Sequence, residues 1–386
     1  MKVLWNSIMY GWRRLTSRPI YLIMMTVVPL VVCFFFVDLM KEGLPLETPT
    51  AVVDLDHSSL SRQTTRALDA SELVHIDHKL ESYHEALEKV RSGEIFGFFL
   101  IPRDFERDAI GGTQPTLSYY SNMTYYVPGT LTFKGFKTIA VTVTGGIVVT
   151  TLSSIGLGED EAMSLINPVS INDHPLGNPW LNYSYYLNNS FIVGVLALLV
   201  MMITVFSICD EIKSGTSPLW LDRSGGSIVV ALFGKLAPQT VIFTAVGFLI
   251  QAVMFGYLDY PLHNHVGHMM LAMFLMVAAC QGFALCVCEL IPNLRFALSI
   301  VSLLGILTFS IAAISFPVES MYGAVGIFSY ILPFRYYFLI YADQALNGLP
   351  IFYSRWYYIA LLAFLVLPLL GLYKLKKHLL RPVYIP

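Results

Sequence analysis

Three short stretches carry residue types that could do chemistry. In "ICDEIKSGTSPLWL" (Ile208–Leu221), Asp210, Glu211 and Lys213, followed by Gly215 and Thr216, interrupt one of the most apolar parts of the chain. Carboxylates are among the costliest groups to place in lipid, so this segment must meet water or a partner. In "HNHVGH", His263, His265 and His268 have a spacing that could hold a transition metal. Only Asp259 stands near to complete such a set, and a polar interfacial loop explains the same residues, so no metal is expected. "CVC" (Cys286–Cys288) lacks the two-residue spacer and second pair of a zinc site, and reads as small membrane-packing residues.

The chemistry that is missing narrows the field further. No G-x-x-x-x-G-K-[ST] loop occurs, so the chain cannot hydrolyse nucleotide by that route, and no catalytic residue is assigned. With a net charge of −2, nothing points to nucleic acid. The apolar runs hold no ionisable side chain at mid-depth, and Gln251 and Gln281 are their largest polar groups. Ion-coupled carriers need buried ionisable groups or broken helices for their ions, so that class is disfavoured. Both glutamines read as interhelical hydrogen-bond partners.

The elements that must position these residues are mostly apolar helices. Residues are 55% hydrophobic and 13% charged, against about 25% charged in soluble proteins. Six stretches reach the length of about 20 apolar residues that a bilayer needs: Tyr21–Leu39, Ser190–Cys209, Ala237–Gly256, Gly267–Cys288, Phe296–Phe316 and Tyr357–Tyr373. The first is too long for a signal-peptide core and reads as a retained anchor. Lys2, Arg13, Arg14 and Arg18 precede it, and Lys374, Lys376, Lys377 and Arg381 follow the last, which places both termini on the cytoplasmic side. "IAVTVTGGIVVTTL" (Ile139–Leu152) is short and rich in Thr; its bulky residues fit a one-sided helix, with a seventh span as the alternative.

Residues 1–20 read as an amphipathic elbow. Trp5 and Trp12 share a side with Leu4, Ile8, Met9, Leu15 and Thr16, while Lys2, Asn6, Arg13 and Ser17 lie opposite. Such a helix belongs in the headgroup layer, with membrane lipid as its partner. Of the 26 acidic residues, 19 fall between Asp38 and Asp173, which marks a soluble insert at 40–189 between the first two spans. There "TAVVDLD", "LVHID", "IFGFFLIP" and "PTLSYYS" read as strands alternating with helices, one opened by Ser59 and one by a Ser82–Glu85 capping box. The fold class is therefore a mainly α membrane protein with six transmembrane helices and an inserted extracytoplasmic α/β domain. The five cysteines all avoid the insert, so no disulfide framework is expected.

Several motifs carry a resemblance to the permease subunits of ABC-2 type exporters, over nearly the whole chain. "RRLTSRPIYLIMMTVVP" is similar to that family's basic elbow running into span one. "AVVDLDHSSLSRQTTRALDAS" resembles its "VAVVDxDxSxxSRxxxxxLxAS", and "GEIFGFFLIPRDFERD" the block ending in "IPxDFxRD". DEIKSGTSPLWL stands where the family has "EKExGTxExLLVTP", with Ile212, Lys213 and Ser214 replacing its second Glu and usual Arg, and an atypical Trp220. The family's "GK" follows as Gly234-Lys235, and "FPVESM" resembles "FPxESMP", with Tyr322 for the final Pro.

The resemblance implies a type V exporter-like body in which two permeases pair, as copies or paralogues. Each would receive a cytoplasmic ABC ATPase that carries ATP and Mg, with no cofactor in this chain. Segment 208–222 would then couple to the ATPase through Asp210, Glu211, Lys213, Gly215 and Thr216, the two carboxylates meeting basic groups of the partner. Segment 317–355 would be a re-entrant outer gate containing Pro317, Glu319, Met321 and Arg335, entered from Phe316, with Glu319 and Arg335 able to pair. A periplasmic membrane-fusion adaptor is a further plausible partner, and the bacterial inner membrane the expected location. A membrane-anchored sensor or scaffold with a ligand-binding outer domain is the alternative. Cargo identity is not legible.

Overall fold

Residues at four-residue spacing, two of them small, set the buried side of the first helix. In α1 (Lys2–Ser17), Ser7, Gly11 and Leu15 form the buried stripe, while Trp5 is 64% exposed and Trp12 also faces outward. The apolar side drawn from the sequence is thus divided, with Leu15 packed on protein and the indoles left on the surface. Helix α2 (Pro19–Leu39) follows as the first long apolar helix. Its Pro29 lacks an N–H and its ring presses on the carbonyl four residues back; the wider π-helical turns at Ile23–Val27 take up that crowding.

The computed structural model describes residues 2–154, 156, 158–166, 177–178, 182–312, 314 and 316–382. Two compact units emerge: Met1–Gly43 with Pro175–Pro386, and Leu44–His174.

The second unit runs β1 (Thr48–Asp54), α3 (Ser59–Asp69), β2 (Val74–Leu80), α4 (Tyr83–Ser92), β3 (Gly97–Ile101), α5 (Phe105–Ile110), β4 (Ser118–Ser121), α6 (Tyr126–Ser154) and α7 (Glu159–Ile166). Its sheet has the order β2-β1-β3-β4. The first three strands are parallel and β4 is antiparallel to β3. Alternation along β1 and β3 builds one cluster with Val52, Phe99 and Ile101 and another with Ala51, Val53 and Phe98. Both faces of the sheet are therefore covered, as parallel strands require. The Ile139–Leu152 stretch lies within α6, whose Phe136, Ile139 and Ile147 pack on the first cluster. That helix is not among the long apolar helices of membrane-spanning character. Ser82 sits at the N-terminus of α4 but makes no capping bond, so the expected capping box is absent.

The "DLDHSSLSR" stretch has a structural explanation. Asp54 Oδ1 accepts from the backbone N–H groups of Asp56 and His57, both at 3.0 Å. Its Oδ2 accepts from Ser61 Oγ at 2.7 Å, and Ser58 caps α3 by accepting from the Ser61 N–H at 3.0 Å. Asp56 reaches the N-terminus of α5, accepting from Phe105 N–H at 2.9 Å and Glu106 N–H at 3.1 Å. This is the carboxyl edge of the sheet between β1 and β3, where doubly wound folds usually take a ligand; here the chain's own carboxylate fills it. Asp56→Ala should cost about 1 kcal/mol, as loss of a helix cap does. Amide exchange at Phe105 and Glu106 should then rise roughly fivefold, and unchanged exchange would show that Asp56 is idle.

The first unit continues with α8 (Ser184–Lys213), α9 (Ser217–Arg223), α10 (Ile228–Tyr257), α11 (Val266–Leu290), α12 (Leu294–Ile311), the pair α13 (Gly323–Tyr330) and α14 (Pro333–Leu346), α15 (Ile351–Leu370) and α16 (Leu372–Leu380). Among the described residues, α2, α8, α10, α11, α12 and α15 are the six helices long and apolar enough to cross a membrane. The apolar windows of α8 and α11 are each 72% buried, so these two form the core and the others surround it. Helix ends differ from the sequence reading where polar groups find partners. Lys235 falls well inside α10, while α12 stops at Ile311 and leaves Phe316 outside it. Gln251 donates to the Met269 carbonyl at 2.9 Å and Gln281 accepts from Thr240 at 2.7 Å, so both bond between α10 and α11.

Candidate functional site

The end of α8 is a junction of four helices held by buried charge. Glu211 is 1% exposed and Lys235 of α10 is 2% exposed, with Lys235 Nζ 2.7 Å from Glu211 Oε1. Lys235 also donates to the Ser207 carbonyl at 2.9 Å, and its ammonium sits 4.1 Å from the centre of the Trp220 ring of α9. Glu211 Oε1 takes a long bond from Tyr10 Oη at 3.4 Å and Arg14 Nε at 3.5 Å. Its Oε2 accepts from Thr216 Oγ1. Asp210 Oδ2 receives Arg18 Nη1 at 2.8 Å and Arg14 Nη2 at 3.5 Å. Burial, and next the Glu211 carboxylate, raises the Tyr10 phenol above its ordinary pKa, so Tyr10 stays a donor.

The helices approach closely enough for this because glycines line the crossing. A Cβ on Gly11 would lie 2.3 Å from the Gly234 carbonyl oxygen. Ser7 Oγ meets Ser224 Oγ at 2.9 Å and donates to the Val230 carbonyl at 3.1 Å. Asp210 and Glu211 were expected to meet basic groups of a partner. The structure instead engages them with Arg14, Arg18 and Lys235 of the same chain, because a lysine inside an apolar helix needs a buried counter-charge.

What faces outward is the turn and one side of α9. Gly215 has φ +67°. The turn closes with Gly215 N–H to the Ile212 carbonyl at 3.2 Å and Thr216 N–H to the Glu211 carbonyl at 3.0 Å. That double bond pattern is the Schellman stop, which favours glycine at this position. Lys213, Asp222 and Arg223 are exposed, and Leu219 is 63% exposed between buried Ser217 and Trp220. In the elbow, Arg13 is exposed whereas Arg14 turns inward.

The outer-gate residues are only partly assembled. Phe316 and Pro317 are exposed and Met321 is half-buried; Val318–Ser320 form a 3-10 turn. Helices α13 and α14 meet at a break bent by 84°. Arg335 spans that bend, donating to Ser329 Oγ at 3.0 Å with its guanidinium 4.7 Å from the Tyr330 ring centre. The Glu319 side chain lies outside the described residues, and so does its expected pairing with Arg335.

His263 bonds through its backbone, donating from N–H to the Ala345 carbonyl at 3.1 Å. Among the described residues, no group of His, Cys, Asp or Glu is arranged to hold a metal ion. Sequence reasoning missed Lys235, Arg18, Tyr10 and Trp220 as members of one cluster. The available signal was a lone lysine in an apolar run, matched by two carboxylates ending the preceding run.

The family profile described as ABC-2 family transporter protein matches residues 19–374. No curated protein matches the chain significantly.

Proposed function

Since this chain belongs to the ABC-2 family of transporter proteins, we propose that it is the permease half of an ATP-driven exporter for a small or amphipathic cargo. It pairs with a second permease, a copy or a paralogue, in a bacterial inner membrane with both termini in the cytoplasm. ABC ATPase subunits carrying ATP and Mg dock from that side. The outer α/β unit meets cargo or a membrane-fusion adaptor, and the bent α13–α14 segment closes the outer mouth.

The observation that carries this reading is the buried Glu211–Lys235 pair with Trp220 above it. It ties α9 to α8, α10 and the elbow, so force on α9 is delivered to two spans at once. Breaking a buried pair is expensive, and the assembly therefore moves as one body rather than fraying at the turn. The partner-facing surface is then Lys213, the Gly215–Thr216 turn and the outer side of α9, not the two carboxylates.

Leu219→Asp tests it. A charge on this exposed apolar knob should cut co-purification of a co-expressed ABC ATPase at least roughly tenfold, while the variant's own stability stays within about 0.5 kcal/mol of the parent. Full retention of the ATPase would remove α9 from the docking surface.

A further inference from the structure

The last described helix carries more positive charge than its surroundings answer: one carboxylate, Glu289 of α11, lies against Gly371 beside it and acts on Lys374 without forming an ion pair. No Asp or Glu follows Asp343, yet Lys374, Lys376, Lys377 and Arg381 come within eight residues, with His378 among them. Lys374, Lys377 and Arg381 are exposed and Lys376 half-exposed. Among the described residues, none of these four cations has a carboxylate within ion-pair distance. Large apolar groups stand exposed beside them: Leu370 at the end of α15, Tyr373, and Leu380. Helix α16 begins two residues after α15, the last helix long and apolar enough to cross a membrane. Cations flanked by exposed apolar and aromatic groups at that depth match a headgroup layer.

Two further contacts fix what such a helix would hold. Leu375 and Leu379 of α16 are fully buried, and Ser217 Oγ, at the start of α9, donates to the Leu379 carbonyl at 2.7 Å. Thus α16 is fastened to the outward-facing helix of the junction by one face while its cations line another without ion pairs.

We propose that α16 is a binding site for anionic phospholipid, which its cations hold through the headgroup phosphate and which seats α9 against the spans. Juxtamembrane clusters of four or more Lys and Arg attract anionic lipid in this way, each contributing about fivefold to affinity near the surface. The lipid contact stands by itself, whereas its bearing on transport rests on the docking role given to α9 above.

The full chain, purified in detergent, is titrated with phosphatidylglycerol, phosphatidylcholine or inorganic phosphate, and bound lipid is read by native mass spectrometry. A fluorophore at Leu219→Cys reports on α9. Phosphatidylglycerol should bind at least about tenfold more tightly than phosphatidylcholine and shift the fluorophore, with phosphate alone doing neither. Replacing Lys374, Lys376, Lys377 and Arg381 by Gln should abolish that preference, and replacing the three lysines by Arg should preserve it. The Gln variant's unaltered behaviour in phosphatidylcholine would confirm that it is folded. Equal binding of the two lipids, or a preference that survives the Gln substitutions, overturns the proposal. Lipid preference without a fluorophore shift overturns the link to α9, and a response to free phosphate shows an anion site that is not a lipid site.

Discussion

Lys235→Met should destabilise the protein by about 3–5 kcal/mol, the usual cost of leaving a buried charge without its partner. The orphan is Glu211, 1% exposed, whose remaining cation Arg14 stands at 3.5 Å instead of the 2.7 Å of Lys235. Pairing the change with Glu211→Gln removes that charge, so the double variant should recover all but about 1 kcal/mol. Denaturation in a fixed detergent measures both. An equal loss in single and double variants would mean that methionine simply fits poorly beneath Trp220, and the pair would then not be what holds the junction. The same two proteins separate stability from coupling. If ATPase docking needs only the outer face of α9, the recovered double variant should bind a partner yet pass its motion on less well, because Trp220 has lost the ammonium 4.1 Å from its ring.

Much of this architecture was legible because lipid and sheet each impose a simple pattern. Runs of about 20 apolar residues located the long helices, and the switch to alternating strands and acidic helices located α3 to α6 and their sheet. Bulky residues spaced along one side, Phe136, Ile139, Val143 and Ile147, pointed to the buried face of α6, and all but Val143 pack on the first cluster. The junction was harder for a definite reason. Its charges come from three separate parts of the chain, Arg14 with Arg18, Asp210 with Glu211, and Lys235, which meet only after α1 crosses α10, and no local periodicity records such a crossing. Asp210 and Glu211 looked like groups awaiting a partner since their cations lay far away in sequence. The boundary of α10 hid Lys235 in the same way: hydropathy placed it before the span, whereas a paired lysine can enter the helix. Ser82 misled for the opposite reason, as its local motif was present but its side chain makes no capping bond.

Gly11→Val is the second substitution expected to act strongly, and it probes the crossing rather than the charges. The first added carbon would lie 2.3 Å from the Gly234 carbonyl oxygen and 3.1 Å from the Lys235 Cα. Backbone atoms cannot rotate aside, so α1 must lift away from α10. Overpacking of this kind costs about 1–3 kcal/mol, sometimes more. Part of that cost should arise at a distance, because lifting α1 draws Arg14 and Tyr10 off Glu211, where their contacts are already long at 3.5 and 3.4 Å. A double-mutant cycle isolates this part. Gly11→Val should cost at least about 0.5 kcal/mol less in a Glu211→Gln background than in the parent, since the contacts it breaks are then weaker. Gly256→Ala in α10, where no atom lies within 4 Å of the added carbon, serves as the control and should be neutral or slightly stabilising. Strict additivity of Gly11→Val with Glu211→Gln would separate the elbow from the ion cluster, leaving α1 a membrane anchor that merely leans on α10.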